Sequence, residues 1–155
     1  MSKALKTITV IGAGGKMGMR ISANLQHSAY QVFYCENSPQ AQQQVTAQGR
    51  ELSDAASVVL LSDVVILAVP DIVLGKVSQS VVPQMQSGAV LLTLDPAAAY
   101  ANLIAQRDDI EYAVAHPCHP SVFLARYTKE EHADAFGGVA AVQHVAAAWE
   151  SGSAE

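Results

Sequence analysis

The sequence predicts an α/β fold, a doubly wound and mostly parallel sheet of the Rossmann type. Three observations carry that expectation. Along 155 residues, apolar β-branched runs of about six residues alternate with stretches of about ten residues at helical spacing. A glycine-rich loop ends the first run and opens the first helical stretch. The run DVVILAVP, 63–70, is continuously apolar after its aspartate, the pattern of a strand buried on both faces of a parallel sheet.

Each element has its own reason. TITVIG, 7–12, is a short strand ending in glycine, and Met17, Ile21 and Leu25 then recur at helical spacing. YQVFYCE, 30–36, is a second strand. Ser38-Pro39 reads as an N-cap followed by proline at the first helical position, opening a helix that runs to Gly49. Arg50–Leu52 suggests a short strand and 54–61 a short helix. After the strand at 63–70, Asp71 caps a helix carrying Ile72, Leu74, Val77 and Val81, disturbed by Pro83. GAVLLTLD, 88–95, is another buried strand, Ala97–Gln106 an alanine-rich helix, and IEYAVA, 110–115, the next strand. Residues 138–149 read as a last strand, with helix as the alternative. The expected layout is one dinucleotide-binding domain over 1–150, with 151–155 a flexible tail or the start of a further domain.

Composition narrows the function. Half the residues are hydrophobic and 15% are charged, enough apolar material for a core. Net charge is −5 with no basic run, which argues against nucleic acid and anionic membranes as partners. No apolar stretch reaches the ~20 residues of a membrane span, and the N-terminus lacks a signal-peptide pattern. Two cysteines, Cys35 and Cys118, make no disulfide framework and suit a reducing cytoplasm.

The loop Gly12-Ala13-Gly14-Gly15-Lys16-Met17-Gly18 lies where a dinucleotide pyrophosphate binds. The chain must turn tightly out of the strand, the backbone must approach the phosphates without a Cβ in the way, and the helix N-terminus must offer its free N–H groups. Glu36 ends the second strand about two dozen residues after Gly12, where a carboxylate accepts from ribose hydroxyls. It would repel a 2′-phosphate, and no arginine follows it; the expected cofactor is NAD, with NADP the alternative.

With TVIGAGGKMG, DVVILAVPD, VLLTLDPA and a strand ending in His-Pro on the page, the chain resembles the 6-phosphogluconate and 3-hydroxyacid dehydrogenase superfamily. It is similar to prephenate dehydrogenases and ketol-acid reductoisomerases in the same places. Within that group its His-Pro-Cys-His-Pro segment and Gly-Gly-x-Ala-Ala-x-Gln-His stretch resemble the apionate oxidoisomerase-like branch. The resemblance implies that Ala68, Val69 and Pro70 line the cofactor path and that Asp95 and Pro96 lie near the nicotinamide. It also implies a helical domain after this one, supplying further catalytic groups and a homodimer interface, so this stretch alone should bind cofactor but turn over poorly. One departure matters: a Ser-Thr pair that binds substrate carboxylate in hydroxyisobutyrate-type enzymes is replaced here by Pro96-Ala97-Ala98.

The segment HPCHP, 116–120, has three readings. A metal site needs three or four converging ligands, and neighbours 118 and 119 point apart in a proline-stiffened loop, so no metal is expected. A catalytic reading follows from topology: ligands bind beyond the carboxyl ends of strands, where His116 follows its strand and His119 is close by. Either imidazole could take a proton from a substrate hydroxyl, and prephenate dehydrogenases are similar in placing a His-Pro there. A turn histidine bonded to backbone is the third. The whole points to an NAD(P)-dependent oxidoreductase acting on a small polar hydroxy acid, sugar-derived in the branch named. A ketol-acid-type oxidoisomerase or a non-catalytic NAD sensor are the alternatives.

Overall fold

A computed structural model describes residues 5–118, 123–134, 139 and 144–149. Its strands are β1 (Thr7–Ile11), β2 (Gln31–Cys35), β3 (Val64–Leu67), β4 (Val90–Thr93), β5 (Glu111–Pro117) and β6 (Val145–Trp149). They form one sheet in the order β2-β1-β3-β4-β5-β6. The first five are parallel, and β6 runs antiparallel to β5. The helices are α1 (Lys16–Leu25), α2 (Pro39–Ala47), α3 (Ala55–Val58), α4 (Asp71–Val81), α5 (Ala97–Tyr100) and α6 (Lys129–Ala133). The expected doubly wound α/β architecture is therefore present.

Alternation along the strands builds two cores. Val65 and Leu67 of β3 pack with Leu91, Leu74 and Val81 on one side. Val64 and Ile66 pack with Ile8, Val10 and Val45 on the other, with Met19, Ile21 and Leu25 of α1 against them. Every residue of β3 is buried, which is why its sequence is continuously apolar. The chain leaves β1 toward β2 on one side and returns to β3 on the other, so the sheet's switch point lies at the carboxyl end of β1, where the glycine loop is.

Several local expectations are corrected. Arg50–Leu52 forms no strand, only an isolated bridge between Tyr34 and Leu52, because Arg50 turns inward to bond Gln26 and lie over the Tyr34 ring. The helix expected over Ala97–Gln106 stops at Tyr100, since Asn102 takes a positive φ of 56° and the chain then tucks Leu103 against Gly75. Asp71 begins α4 rather than capping it; Pro70 holds the cap position. Ser38 does precede α2, but its hydroxyl makes no capping bond. The strand expected over 110–115 extends through Pro117, because β6 pairs His116 with Ala146 and Pro117 with Val145. His116 is thus inside a strand end rather than after it. The last strand covers Val145–Trp149, while 140–143 and the expected tail at 151–155 lie outside the described residues.

Candidate active site

The glycine loop runs from the carboxyl end of β1 into α1, and its glycines divide the labour. Gly12 adopts φ +81° and a Cβ there would lie 2.6 Å from the Ala68 carbonyl oxygen. At Gly14 a Cβ would fall 2.5 Å from the Ala41 oxygen, and at Gly18 it would fall 2.0 Å from the Gly12 oxygen. The protein's own packing demands those three glycines. Gly15 is different. Its backbone is ordinary extended, φ −70° and ψ 167°, and a Cβ would approach nothing closer than 3.4 Å. Nothing in the chain requires glycine there; a ligand pressed against the backbone does. Gly15 is the N-cap of α1, which carries neither a side-chain cap nor an acidic residue in its first turn. Its first N–H groups therefore remain to meet an anion, with the basic Lys16 beside them.

Two clefts flank this helix end. The larger, about 400 Å³, is lined by Gly15, Lys16 and Met17 on one wall, Ala68, Val69 and Pro70 on a second, and Asp95 and His116 on a third. The other, about 320 Å³, lies between α1 and α2 and is lined by Gly14, Gly15, Lys16, Ser38, Gln40 and Gln44 among others. Residues from four separate strand ends thus converge on one edge. Glu36 stands next to the loop: one carboxylate oxygen accepts the Gly14 N–H at 3.0 Å, the other the N–H groups of Asn37 and Ser38 at 2.9 and 3.0 Å. Three bonds on two oxygens leave room for a further donor by lone-pair count.

Some expected site residues are placed otherwise. Ala13 is completely buried, and its N–H joins that of Gly12 on the Cys35 carbonyl, so it shapes the loop from within. Gly18 is buried against the same turn. Pro96 is exposed at the N-cap of α5 and is not among the residues lining either cleft. His119 lies outside the described residues. Cys35 is buried, and burial, with the Asp54 charge adding, pushes its thiol up to about 12; it is an inert core thiol. Among the described residues no group of three or more metal-ligating side chains converges.

The third wall holds the chemistry. His116 Nδ1 lies 2.8 Å from the Leu94 carbonyl oxygen and 3.8 Å from Asp95 Oδ2. Asp95 Oδ1 accepts the Ala97 N–H at 2.7 Å and is fixed by it. The sequence names His116 and Asp95, but not the part played by Leu94, which contributes a backbone carbonyl and so has no signature in residue type. Asp71 also lines the cleft; its place at a helix start masked that position.

An uncapped helix end at the switch point, a glycine kept open for a ligand and a carboxylate at the end of β2 define a dinucleotide-binding Rossmann domain. The chain belongs to the family of the NADPH-binding domain of acetohydroxy acid isomeroreductase, which matches residues 4–153. It is 78% identical over 155 residues to a D-apionate oxidoisomerase of Pectobacterium atrosepticum, covering all of this chain and 54% of that protein. It is 40% identical over 149 residues to a D-apionate oxidoisomerase of Cupriavidus necator, covering 96% of this chain and 54% of that protein. A crystal structure from Cupriavidus necator, described as a semialdehyde dehydrogenase NAD-binding protein in complex with calcium and NAD, superposes with a TM-score of 0.84 at 39% identity, over 96% of this chain and 54% of that one. The chain spans about half the length of the curated relatives it matches.

Proposed function

We propose that this chain is the cofactor-binding part of an NAD-dependent oxidoreductase acting on a sugar-derived hydroxy acid, with oxidation coupled to isomerisation as in the D-apionate oxidoisomerases it is similar to. The observation that carries the reading is the large cleft, in which the ligand-ready Gly15, the α1 N-terminus, Asp95 and His116 share one surface. Gly15, Lys16 and the α1 amides would hold the pyrophosphate, Glu36 the adenosine ribose, and Ala68–Pro70 the path between them. The bound nicotinamide supplies a hydride acceptor. His116, on the opposite wall, takes the proton of the substrate hydroxyl while the same carbon loses its hydride, so the C–H and O–H bonds break and a carbonyl forms. The pocket's apolar walls, Leu67, Val69 and Leu74 among them, exclude water from that step.

Glu36 sets the cofactor preference. With its two oxygens already held toward the loop by backbone N–H groups, the carboxylate stands fixed where a 2′-phosphate would come. Calorimetric titration should give NADH at least ~10-fold tighter than NADPH, the size of one charge-assisted hydrogen bond gained or lost. Equal affinities would defeat the Glu36 assignment. Apolar residues left in water, Ile72 at 95% and Tyr100 at 92% exposure, support assembly with further protein surface in the full-length protein as a homodimer. The free thiols Cys35 and Cys118 suit a cytoplasmic setting. Among the described residues no helix is long and apolar enough to cross a membrane.

A further inference from the structure

The bonds around His116 do more than hold its ring. A carbonyl oxygen can only accept, so the 2.8 Å contact between His116 Nδ1 and the Leu94 oxygen requires the proton on Nδ1. The second group near Nδ1 is the Asp95 carboxylate oxygen at 3.8 Å, too long for a hydrogen bond but an acceptor of the same kind. Both therefore favour one tautomer. That carboxylate is not free to swing away, because its other oxygen is tied to the Ala97 N–H at 2.7 Å. The juxtaposition comes from the sheet: β4 and β5 pair Thr93 with Val114, so two residues further on the same register brings Asp95 beside His116.

We infer that the Leu94 carbonyl and the Asp95 carboxylate fix His116 as the Nδ1–H tautomer, which makes Nε2 the proton acceptor, and that Asp95 is the positioning residue of this site. The inference deepens the proposed function and rests on it for its catalytic meaning, though not for the tautomer itself. A neutral imidazole has one acceptor nitrogen. With Nδ1 turned to β4, the lone pair of Nε2 lies on the far side of the ring, and the ring lines the cleft. The wrong tautomer would present an N–H to a substrate hydroxyl and could take no proton from it.

Asp95→Asn tests this sharply. The Asn oxygen keeps the Ala97 N–H, so its amide nitrogen, a donor, replaces the carboxylate oxygen that faces Nδ1. The ring then meets a donor on that side and Nε2–H gains. In this chain, labelled with ¹⁵N-histidine and held at about pH 8.5, above the ordinary histidine range, long-range ¹H–¹⁵N correlation should show His116 in the Nδ1–H form. Asp95→Asn should shift the tautomer ratio about tenfold toward Nε2–H, the size of one hydrogen bond. In the full-length enzyme the same variant should lower kcat about tenfold to hundredfold with KM nearly unchanged, because the group holds the base and not the substrate. A wild-type Nε2–H tautomer, or an Asp95→Asn variant with unchanged tautomer and kcat, overturns the positioning role while leaving His116 as the proton acceptor. Full turnover in His116→Asn instead overturns the acceptor reading itself, whatever the tautomer.

Discussion

Two aspartates at opposite ends of the sheet have opposite uses. Asp63 precedes β3 at the amino end and is only 5% exposed. One of its oxygens accepts the Lys6 N–H, the Thr7 N–H and the Thr7 hydroxyl at 2.8, 3.0 and 2.9 Å, and the other accepts the Gln86 amide at 3.2 Å. That carboxylate ties the entry to β1 to β3 and to the approach to β4. Asp95, just past β4 at the carboxyl end, has a 31% exposed side chain and commits only one oxygen to a backbone N–H. Its other oxygen faces a histidine across a cleft. The same residue type is structural where the backbone consumes its acceptors and chemical where the fold leaves one of them facing a ligand cleft. In open α/β sheets that difference belongs to the two edges: strands enter at one and present their loops and helix N-termini to ligands at the other.

The comparison can be broken from the carboxyl end first. In the full-length enzyme, His116→Asn should lower kcat by roughly 10²–10⁴, the range for losing a general acid or base, with cofactor affinity unchanged by titration. A stable, fully active variant would leave His116 a backbone-bonded strand residue and nothing more. A smaller effect separates the loop's packing from its binding. Gly15→Val should weaken dinucleotide binding about 100-fold, since the side chain fills the space beside the α1 amides, while the melting temperature stays near that of the wild type. The room around that position is the reason. Unchanged affinity would mean the pyrophosphate lies elsewhere.

The mildest change sharpens the amino end. Asp63→Ala should cost about 1–3 kcal/mol of stability by leaving backbone N–H groups unpaired, read as a lower denaturant midpoint. Affinity for the dinucleotide should not move, because Asp63 lies a sheet's length from the cleft. A loss of affinity larger than the loss of folded protein would show that the two edges are coupled.

Much of the cofactor half was legible. Gly12 and Gly18 show in residue type because the turn and the helix packing admit no Cβ, and Glu36 because β2 ends one residue before it. Gly14 and Gly15 look alike in sequence, yet one is excluded by Ala41 and the other by nothing in the chain; that distinction needs α2 in place. The catalytic half was legible only as candidates. His116 is named by its strand, but whether its ring met a carbonyl, a carboxylate or solvent depended on residues 22 positions earlier.

The sequence by itself determined the alternation of strands and helices, the buried character of β3 and the glycine loop at the end of β1. Each is a local pattern: a period of side chains, a positive φ, or a run too apolar for the surface. Tertiary structure decided the antiparallel pairing of β6 that carries β5 through Pro117, the early end of α5 where Leu103 packs on Gly75, and the tautomer of His116. Those depend on which strands are neighbours and in what register. Register is fixed by cross-strand hydrogen bonding and by both faces burying their apolar side chains together, and no single segment contains that information.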